Sequence, residues 1–313
     1  MRLLVTGADG FVGRTLTHAA RAAGHDVVAT IGPGGAEPAA WLPAALQAGV
    51  TTRTADLTSA TDVARLGAER VDAVVHLAAI SSGADARRDP AAAMAVNTEA
   101  TARLFDAVTA GGRAPRFLFV STAEVYGPGH AGPIVEDAPI APISPYAESK
   151  AAAEALLFDA AASTGVPLVV ARPFPHTGPG QDTRFVLPAF AARLRAARQA
   201  GDRTFAVGTL DVVRDFLDVR DVVAAYLALL AQGAPMTAYN IATGVGRHLG
   251  DCVQALRALV GCDAEPVTDA SLVRPADIPV LIGDPARLMA ATGWAPSIPF
   301  DQTLKDLVDA QAD

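Results

Sequence analysis

The fold is decided by residues 6–13, TGADGFVG, which follow an apolar strand predicted over Arg2–Thr6 and open a helix predicted over 11–23. In a GxxGxxG loop of this kind the first glycine permits a tight turn, the second lets the backbone approach a pyrophosphate, and the third allows close packing of helix on strand. The helix N-terminus adds amide donors and partial positive charge. We therefore expect a dinucleotide to contact Gly7, Gly10, Phe11, Val12 and Gly13.

Strands and helices alternate outward from this loop. Further strands are predicted over 26–30, 51–55, 73–77, 116–121 and 167–171, with helices over 61–68, 90–111 and 147–164. Several strands are continuous apolar runs, which fit a parallel sheet covered on both faces. The sequence therefore predicts an α/β fold, a Rossmann-like doubly wound parallel sheet.

The pattern becomes less regular after residue 172. Helices are predicted over 186–200, 219–232, 248–260, 285–292 and 301–311. We expect a dinucleotide-binding domain from 1–172 plus about 211–240, and a smaller α/β substrate domain from 173–210 and 241–313. Two long loops, 32–43 and 127–145, are candidate lids or binding loops.

Composition narrows the class of protein. Hydrophobic residues make up 51% of the 313, which excludes a disordered chain, and the net charge of −8 argues against nucleic acid and anionic membranes as partners.

No apolar run could span a bilayer and no signal peptide is visible, so we expect a cytoplasmic protein. Cys252 and Cys262 form no CxxC motif and have no histidine cluster beside them, which predicts reduced thiols and no metal site.

The choice between NAD and NADP stays open at this stage. Near Ile31, after the second strand, stands neither an acidic residue for a ribose 2′-hydroxyl nor an adjacent arginine for a 2′-phosphate. Arg14 and Arg53 could reach a 2′-phosphate, or could lie solvated at the surface. Asp56, followed by Leu57, could meet the adenine amino group or cap the next helix.

Tyr146 and Lys150 stand four residues apart, on one face of a predicted helix. Thr122 ends a strong apolar strand, at the edge where ligands bind in open α/β sheets. Hydride transfer to or from a carbonyl needs a proton partner, and a phenol can serve if a nearby ammonium lowers its pKa. We predict that Tyr146 exchanges the proton, that Lys150 lowers its pKa and holds the nicotinamide ribose, and that Thr122 hydrogen-bonds the carbonyl oxygen.

Taken together these features resemble the extended short-chain dehydrogenase/reductase family of nucleotide-sugar enzymes over essentially the whole chain. The resemblance also rests on HLAA at 76–79, on Asn97 and on STAEVYG at 121–127. It implies a catalytic triad of Thr122, Tyr146 and Lys150, with Asn97 holding the active-site helix or a proton-relay water. It places Leu77, Ala78 and Ala79 at the cofactor. It also implies a homodimer in which helices 90–111 and 147–164 form a four-helix bundle.

The second half narrows the resemblance. The segments RPFPHTGPGQ at 172–181, VRDFLDVRD at 213–221 and RPADIP at 274–279 are most similar to those of bacterial GDP-4-dehydro-6-deoxy-D-mannose reductases. In those enzymes arginines at the places of Arg214 and Arg274 bind the substrate diphosphate, which a guanidinium fork matches in geometry. The expected substrate contacts are Ser81, Thr122, Glu124, His176, Arg214 and Arg274.

Two positions depart from the family pattern. Pro175 stands where the family usually has a substrate-contacting asparagine, and Ala123 stands where dehydratases carry an acidic or hydroxyl residue before Glu124. The sequence therefore predicts an NAD(P)H-dependent reductase of a nucleotide-linked 4-keto-6-deoxy sugar, with Glu124 in a supporting role. A 4,6-dehydratase or 4-epimerase of the same family is the alternative. A non-catalytic nucleotide-binding member is a third, against which the intact triad argues.

Overall fold

The computed structural model describes residues 1–273 and 278–311. Its strands are β1 Arg2–Thr6, β2 Asp26–Ile31, β3 Val50–Thr54, β4 Ala73–His76, β5 Arg116–Val120, β6 Leu168–Pro173, β7 His176–Thr177, β8 Thr204–Val207, β9 Val213–Arg214, β10 Leu217–Asp218, β11 Thr237–Ile241, β12 Arg247–His248, β13 Glu265–Thr268 and β14 Val280–Leu281. Its α-helices are α1 Phe11–Ala22, α2 Ala44–Gln47, α3 Ala60–Gly67, α4 Gly83–Arg88, α5 Pro90–Met94, α6 Ala100–Thr109, α7 Pro145–Thr164, α8 Val186–Ala200, α9 Val219–Gln232, α10 Leu249–Val260, α11 Ala286–Thr292 and α12 Phe300–Ala310.

The central sheet has seven parallel strands in the order β11-β6-β5-β4-β1-β2-β3. Strand order reverses between β1 and β4, as in doubly wound folds, and the carboxyl ends of the strands meet at one edge. The predicted fold class is thereby confirmed. The strand β11 was not predicted, and it pairs with β6 at the end of the sheet.

Helices cover both faces of this sheet. In β1 the side chains of Leu3 and Val5 enter one buried cluster, with α1 and α9, while Leu4 enters the other, with α3, α6 and α7. This alternation follows from the two-residue repeat of a strand, and it explains why β1 is apolar throughout. A third cluster joins α8, α10 and α12 in the second half of the chain. The division into two domains with the boundaries given above stays a prediction.

The helix predicted over 90–111 is interrupted. The α-helices α5 and α6 are separated by a π-helical turn at Ala95–Glu99, which contains the buried Asn97. Turns of this type often occur at functional sites, because the extra residue redirects the side chains around it. Periodicity alone predicted one continuous helix, and a single inserted residue is too local a change for that pattern to register.

The helix α7 has well-formed ends. The Ser144 side chain accepts a hydrogen bond from the Ala147 amide, Pro145 occupies the first turn, and Gly165 ends the helix with φ of 72°. These signals fix the start of α7 one residue before Tyr146, and they place Lys150 one turn further along. Among the described residues, no helix is long and apolar enough to cross a bilayer, and no cluster of three metal-ligating side chains is found.

Candidate active site

The glycine loop closes tightly onto β1. Gly7 has a φ of 66°, and a Cβ placed on Gly13 would lie only 2.0 Å from the Gly7 carbonyl oxygen, so both positions require glycine. At Gly10, by contrast, the nearest atom to an added Cβ is the Gly7 oxygen at 3.3 Å. Gly10 is also the N-cap of α1, so the free amides of that helix begin here. The loop therefore presents donors and positive charge to an anionic ligand.

A cleft of about 830 Å³ runs along the carboxyl edge of the sheet from this loop. It brings together most of the predicted site residues, namely Gly7, Gly10, Phe11, Val12, Gly13, Leu77, Ala78, Ala79, Ser81, Thr122, Glu124, Tyr146, Lys150, His176 and Arg214. Asp56, Leu57 and Asn97 do not line it, and Arg274 lies outside the described residues. One cleft thus contains the glycine loop, the hydroxyls of Thr122 and Tyr146, and residues from the second half of the chain.

A buried hydrogen-bond chain supports the centre of this edge. The Thr6 hydroxyl lies 2.7 Å from His76 Nδ1 and accepts from the Leu77 and Ala78 amides at 3.1 Å each. His76 Nε2 lies 2.8 Å from the Thr101 hydroxyl, which itself donates to the Asn97 carbonyl. The pKa of His76 is lowered to about 3, chiefly by burial and secondarily by the charge of Lys150. His76 is therefore neutral, with its proton on Nε2.

The predicted effect of Lys150 on Tyr146 is wrong in this structure. The pKa of Tyr146 is raised, first by burial and then by the nearby Glu124 charge, while a hydrogen bond with Thr122 opposes the rise. Burial also lowers the pKa of Lys150 to about 7, and the charge of Glu154 opposes that fall. A lysine that readily loses its proton supplies less positive charge, so it cannot offset the burial of the phenol. Tyr146 therefore holds its proton at neutral pH.

Lys150 itself lies deep in the cleft, only 2% exposed, with Nζ 4.3 Å from the centroid of the Phe119 ring. Its Nζ forms no hydrogen bond or ion pair with any residue in 1–273 or 278–311. A buried ammonium without a fixed anionic partner is costly unless a ligand supplies acceptors. This side chain is thus suited to hold hydroxyl groups of a bound ligand.

Asn97 braces the active-site helix instead of lining the cleft. Its side-chain oxygen accepts from the Ile80 amide at 2.8 Å, and its amide nitrogen donates to the Ser149 hydroxyl at 2.9 Å. That hydroxyl in turn donates to the Tyr146 carbonyl at 2.8 Å. The sequence left two roles for Asn97, and this geometry favours the one in which it holds α7. The intermediate partner, Ser149, was missed, although its position three residues after Tyr146 indicates the contact.

The second half of the chain closes the cleft from the far side. The His176 ring stacks on Phe11 at 6.4 Å between centroids and 8° between planes, and its Nδ1 donates to the Phe174 carbonyl at 3.0 Å. Burial lowers the pKa of His176. Arg214 lies on β9, and its neighbour Asp215 accepts from the amides of Thr243, Gly244 and Gly283. The Asp215 carboxylate thereby fixes the strand that carries Arg214.

Comparison with known proteins gives the family. Residues 3–242 match the model of the NAD dependent epimerase/dehydratase family. The chain belongs to this family. It is 37% identical to the GDP-6-deoxy-D-mannose reductase of Pseudomonas aeruginosa, over 98% of this chain and 96% of that one, and 33% identical to the UDP-glucose 4-epimerase of Azospirillum brasilense, over 94% and 87%. The structure of RMD from Pseudomonas aeruginosa complexed with NADPH covers 99% of this chain, and 98% of its own, with a TM-score of 0.85 and 35% identity.

Arg14, Arg53 and Asp56 each had two possible roles in the sequence, and the structure distinguishes between them. Arg14 lines the cleft, with its guanidinium carbon 5.7 Å from the Trp41 ring centroid, whereas Arg53 pairs with Glu69 at 2.6 Å outside it. Asp56 does not cap α3, because its carboxylate is bound to the Thr58 amide at 2.8 Å and Ser59 is the cap. The capping alternative for Asp56 was therefore wrong.

The rim of the cleft was only partly predicted. Of the two long loops, 127–145 supplies Ile143 and Ser144 to the described lining, while 32–43 supplies none. Arg184, which was not predicted, lines the cleft and pairs with Asp85 at 3.4 Å, joining the loop before α8 to α4. No pattern in the sequence marks this contact, since it joins surface residues 99 positions apart.

Proposed function

We propose that the protein is an NAD(P)H-dependent reductase of a nucleotide-linked 4-keto-6-deoxy sugar. The observation that carries this proposal is the gathering of Thr122, Tyr146 and Lys150 with the glycine loop in one cleft. The 37% identity with a GDP-6-deoxy-D-mannose reductase over nearly the full length supports this substrate class. We also expect a cytoplasmic location.

The residues of the cleft fit a nicotinamide dinucleotide. The side of Gly10 that carries no Cβ and the free amides of α1 suit the pyrophosphate, and the unpaired Lys150 ammonium suits the nicotinamide ribose. Leu77, Ala78 and Ala79 line the cleft between them. When bound, the reduced cofactor supplies the hydride. Arg14 offers a guanidinium for a 2′-phosphate, but both NAD and NADP forms fit this description.

A protonated Tyr146 in the cleft is compatible with reduction. A phenol that keeps its proton at neutral pH is ready to act as the general acid, giving that proton to O4 of the sugar as the carbonyl is reduced. Thr122 can hydrogen-bond the same oxygen, because both hydroxyls line the same cleft. The opposite reaction, oxidation of an alcohol, would need the phenolate instead.

The remaining substrate contacts follow the cleft toward the second half of the chain. We assign Arg214 to the diphosphate of the sugar nucleotide, and Ser81 and His176 to the sugar side, since all three line the cleft. Arg274 has the same predicted role as Arg214 and lies outside the described residues.

Glu124 favours the second candidate, a dehydratase or epimerase of the same family. It lines the cleft beside Tyr146, and its carboxylate lies 3.5 Å from the Ser144 hydroxyl. A carboxylate there could take the C5 proton that dehydration requires. We favour a supporting role for Glu124, because reduction removes no proton from C5.

We also propose a homodimer through a four-helix bundle of α5–α6 and α7. Met94 and Leu156 are exposed on these helices, at 36% and 47%, although both helices pack on the sheet with their other faces. Burying apolar surface against a second copy is the common way to cover such faces. Sedimentation at micromolar concentration should give a dimer, and a monomer would contradict this proposal.

A screen of NADH and NADPH against GDP-, dTDP- and UDP-linked 4-keto-6-deoxy sugars tests the function. We expect stoichiometric loss of absorbance at the reduced-nicotinamide band with at least one sugar, and none for Tyr146→Phe on the same timescale. Turnover of the corresponding GDP-, dTDP- or UDP-linked hexoses, which still carry the C4 alcohol, without net cofactor consumption would favour the dehydratase or epimerase instead.

A further inference from the structure

A buried acidic residue, Glu154, follows Lys150 on α7. Glu154 lies one helical turn further along, and both side chains are buried, at 4% and 2% exposure. Residues four apart on a helix have Cβ atoms roughly 5–6 Å apart, which is close enough for a lysine and a glutamate to form an ion pair. Lys150 nevertheless forms no ion pair within the described chain. A different cation must therefore bind the Glu154 carboxylate.

That partner is Arg172, near the end of β6. Its Nε donates to both carboxylate oxygens of Glu154, at 3.1 and 3.2 Å, and one Nη donates to the second oxygen at 2.6 Å. The other Nη donates to the Tyr126 hydroxyl at 2.9 Å and to the Glu136 carbonyl at 3.1 Å. A guanidinium with all these contacts made in a buried site has little freedom to move.

We propose that Arg172 is a positioning residue for Lys150. By engaging both oxygens of Glu154, it prevents the Lys150 ammonium from closing onto that carboxylate and leaves the ammonium directed into the cleft. The inference rests on the proposed role of Lys150 at the cofactor ribose. Arg172 does not line the cleft. Its hydrogen-bond partners are Glu154, Tyr126 and Glu136, so it acts on Lys150 only through Glu154.

Two substitutions separate this role from a purely structural one. In Arg172→Leu the Glu154 carboxylate loses its partner, and Lys150 is the nearest cation on the same helix face. It should then form the i,i+4 pair, which raises its pKa. In Glu154→Leu/Arg172→Leu both charges are gone, and buried ion pairs are often replaced by apolar residues without loss of stability. Lys150 should then be released again, with its pKa lowered by burial alone.

The groups around Lys150 must be considered together. The charges that act between Lys150 and its neighbours are those of Glu154 on α7 and His76 on β4. Tyr146 on α7 and Glu124 in the turn after β5 line the same cleft, and Arg172 on β6 and Tyr126 lie beyond Glu154. His76 is neutral above pH 4, and Tyr146 and Tyr126 keep their protons at neutral pH. Glu154 is thus the charge that the substitutions redirect.

The chain makes a direct measurement practical, because it contains only two lysines, Lys150 and Lys305. Incorporation of lysine labelled with ¹³C at Cε gives two resonances in the full-length protein without cofactor or substrate. Lys305 pairs with Asp309 in α12 and serves as the internal reference. We expect Lys150 in the wild type to titrate near 7. In Arg172→Leu it should titrate at least about 2 pH units higher, toward the ordinary value of about 10.4.

The matched control is Arg287→Leu, which breaks the pair of Arg287 with Glu136 and Asp137 in the same polar network but leaves Glu154 held. It should leave the Lys150 titration unchanged. The double variant should return Lys150 to the wild-type value or below, and should recover cofactor affinity that Arg172→Leu has lost. An unshifted Lys150 in a folded Arg172→Leu protein, or an equal rise in the double variant, would overturn the proposal.

If Arg172→Leu does not fold, Glu154→Gln tests whether the Glu154 charge acts on Lys150, on which the proposal depends. Glutamine keeps the shape and cannot attract the ammonium by charge, so Lys150 should titrate below its wild-type value, and an unchanged titration would contradict the role of this pair. The readout needs no turnover. Failure of the proposed reductase activity would therefore leave the lysine result standing, and normal turnover with an unshifted Lys150 would refute this inference alone.

Discussion

Alanine at Gly13 should destabilise the fold, whereas alanine at Gly10 should leave it intact. A Cβ on Gly13 would lie 2.0 Å from the Gly7 oxygen and 2.7 Å from the Ala8 Cα, both of them backbone atoms. Favourable contacts between such atoms need roughly 3.5 Å, so α1 would have to shift by about 1 Å or more against β1. Overpacking of this kind costs about 1–3 kcal/mol, and the upper end applies because backbone has to move.

One opposing effect reduces the net loss of stability in Gly13→Ala. Alanine gains up to about 1 kcal/mol over glycine in helix propensity, which offsets part of the loss. We therefore expect the free energy of unfolding of Gly13→Ala to fall by about 1–2 kcal/mol, a sizeable share of the roughly 5–15 kcal/mol typical of proteins. At Gly10 the nearest contact of 3.3 Å needs only a slight adjustment, but the methyl group would stand where a pyrophosphate approaches.

Urea unfolding monitored by circular dichroism measures the first effect, and calorimetric titration with NADH and NADPH measures the second. Gly10→Ala should keep its unfolding midpoint and lose cofactor affinity. Gly13→Ala should lose stability first, with affinity falling as a consequence. The reasoning fails if Gly13→Ala is as stable as the wild type, or if Gly10→Ala binds cofactor normally while its stability drops.

Three further outcomes are expected. Tyr146→Phe should lower kcat by about 10²–10⁴ in steady-state assays because the general acid is lost, whereas Glu124→Gln should cost much less if the reaction is a reduction. Arg214→Ala should raise KM for the sugar nucleotide by a factor equivalent to about 1.5–3 kcal/mol of binding free energy, because a charge-assisted hydrogen bond to phosphate is lost. Cofactor affinity should change little. Loss of cofactor affinity with an unchanged KM would show that Arg214 lies in the wrong part of the cleft for this role. The pKa of His76, about 3 in the folded protein against about 6.5 unfolded, means that only the unfolded chain takes up this proton between those values. Acidification from pH 6.5 toward 3 should therefore reduce stability by up to about 1.4 kcal/mol per pH unit from this group, and His76→Asn should flatten that slope in denaturant titrations.

Local signals were sufficient for the elements that hold the site. Residues 6–13 predicted the strand, turn and helix at the cofactor end, because Gly7 needs a positive φ and Gly13 leaves no room for a Cβ. The serine cap and the terminal glycine of α7 place Tyr146 in its first turn in the same way. The helices of the second half, such as Val186–Ala200 and Leu249–Val260, also matched their predicted ranges to within a residue.

Features that depend on contacts between distant parts of the chain could not be predicted from the sequence. The strand Thr237–Ile241 is defined by pairing with β6, nearly 70 residues earlier. The pKa of Tyr146 depends on how deeply the packed helices bury its phenol, and a spacing of four residues from Lys150 carries no information on burial. The pair of Arg172 with Glu154 likewise needs the sheet and α7 in place before its geometry exists.

The fate of the C5 proton and of the cofactor tests the central claim most directly. The wild-type protein, incubated in deuterium oxide with reduced cofactor and a nucleotide-linked 4-keto-6-deoxy sugar, should consume one equivalent of cofactor per sugar reduced. Nuclear magnetic resonance of the product should show no deuterium at C5 beyond a control without protein, because Tyr146 protonates O4 and no base acts on C5. Deuterium at C5 without net cofactor consumption would contradict the reductase assignment, and loss of that label in Glu124→Gln would identify Glu124 as the base that acts on C5.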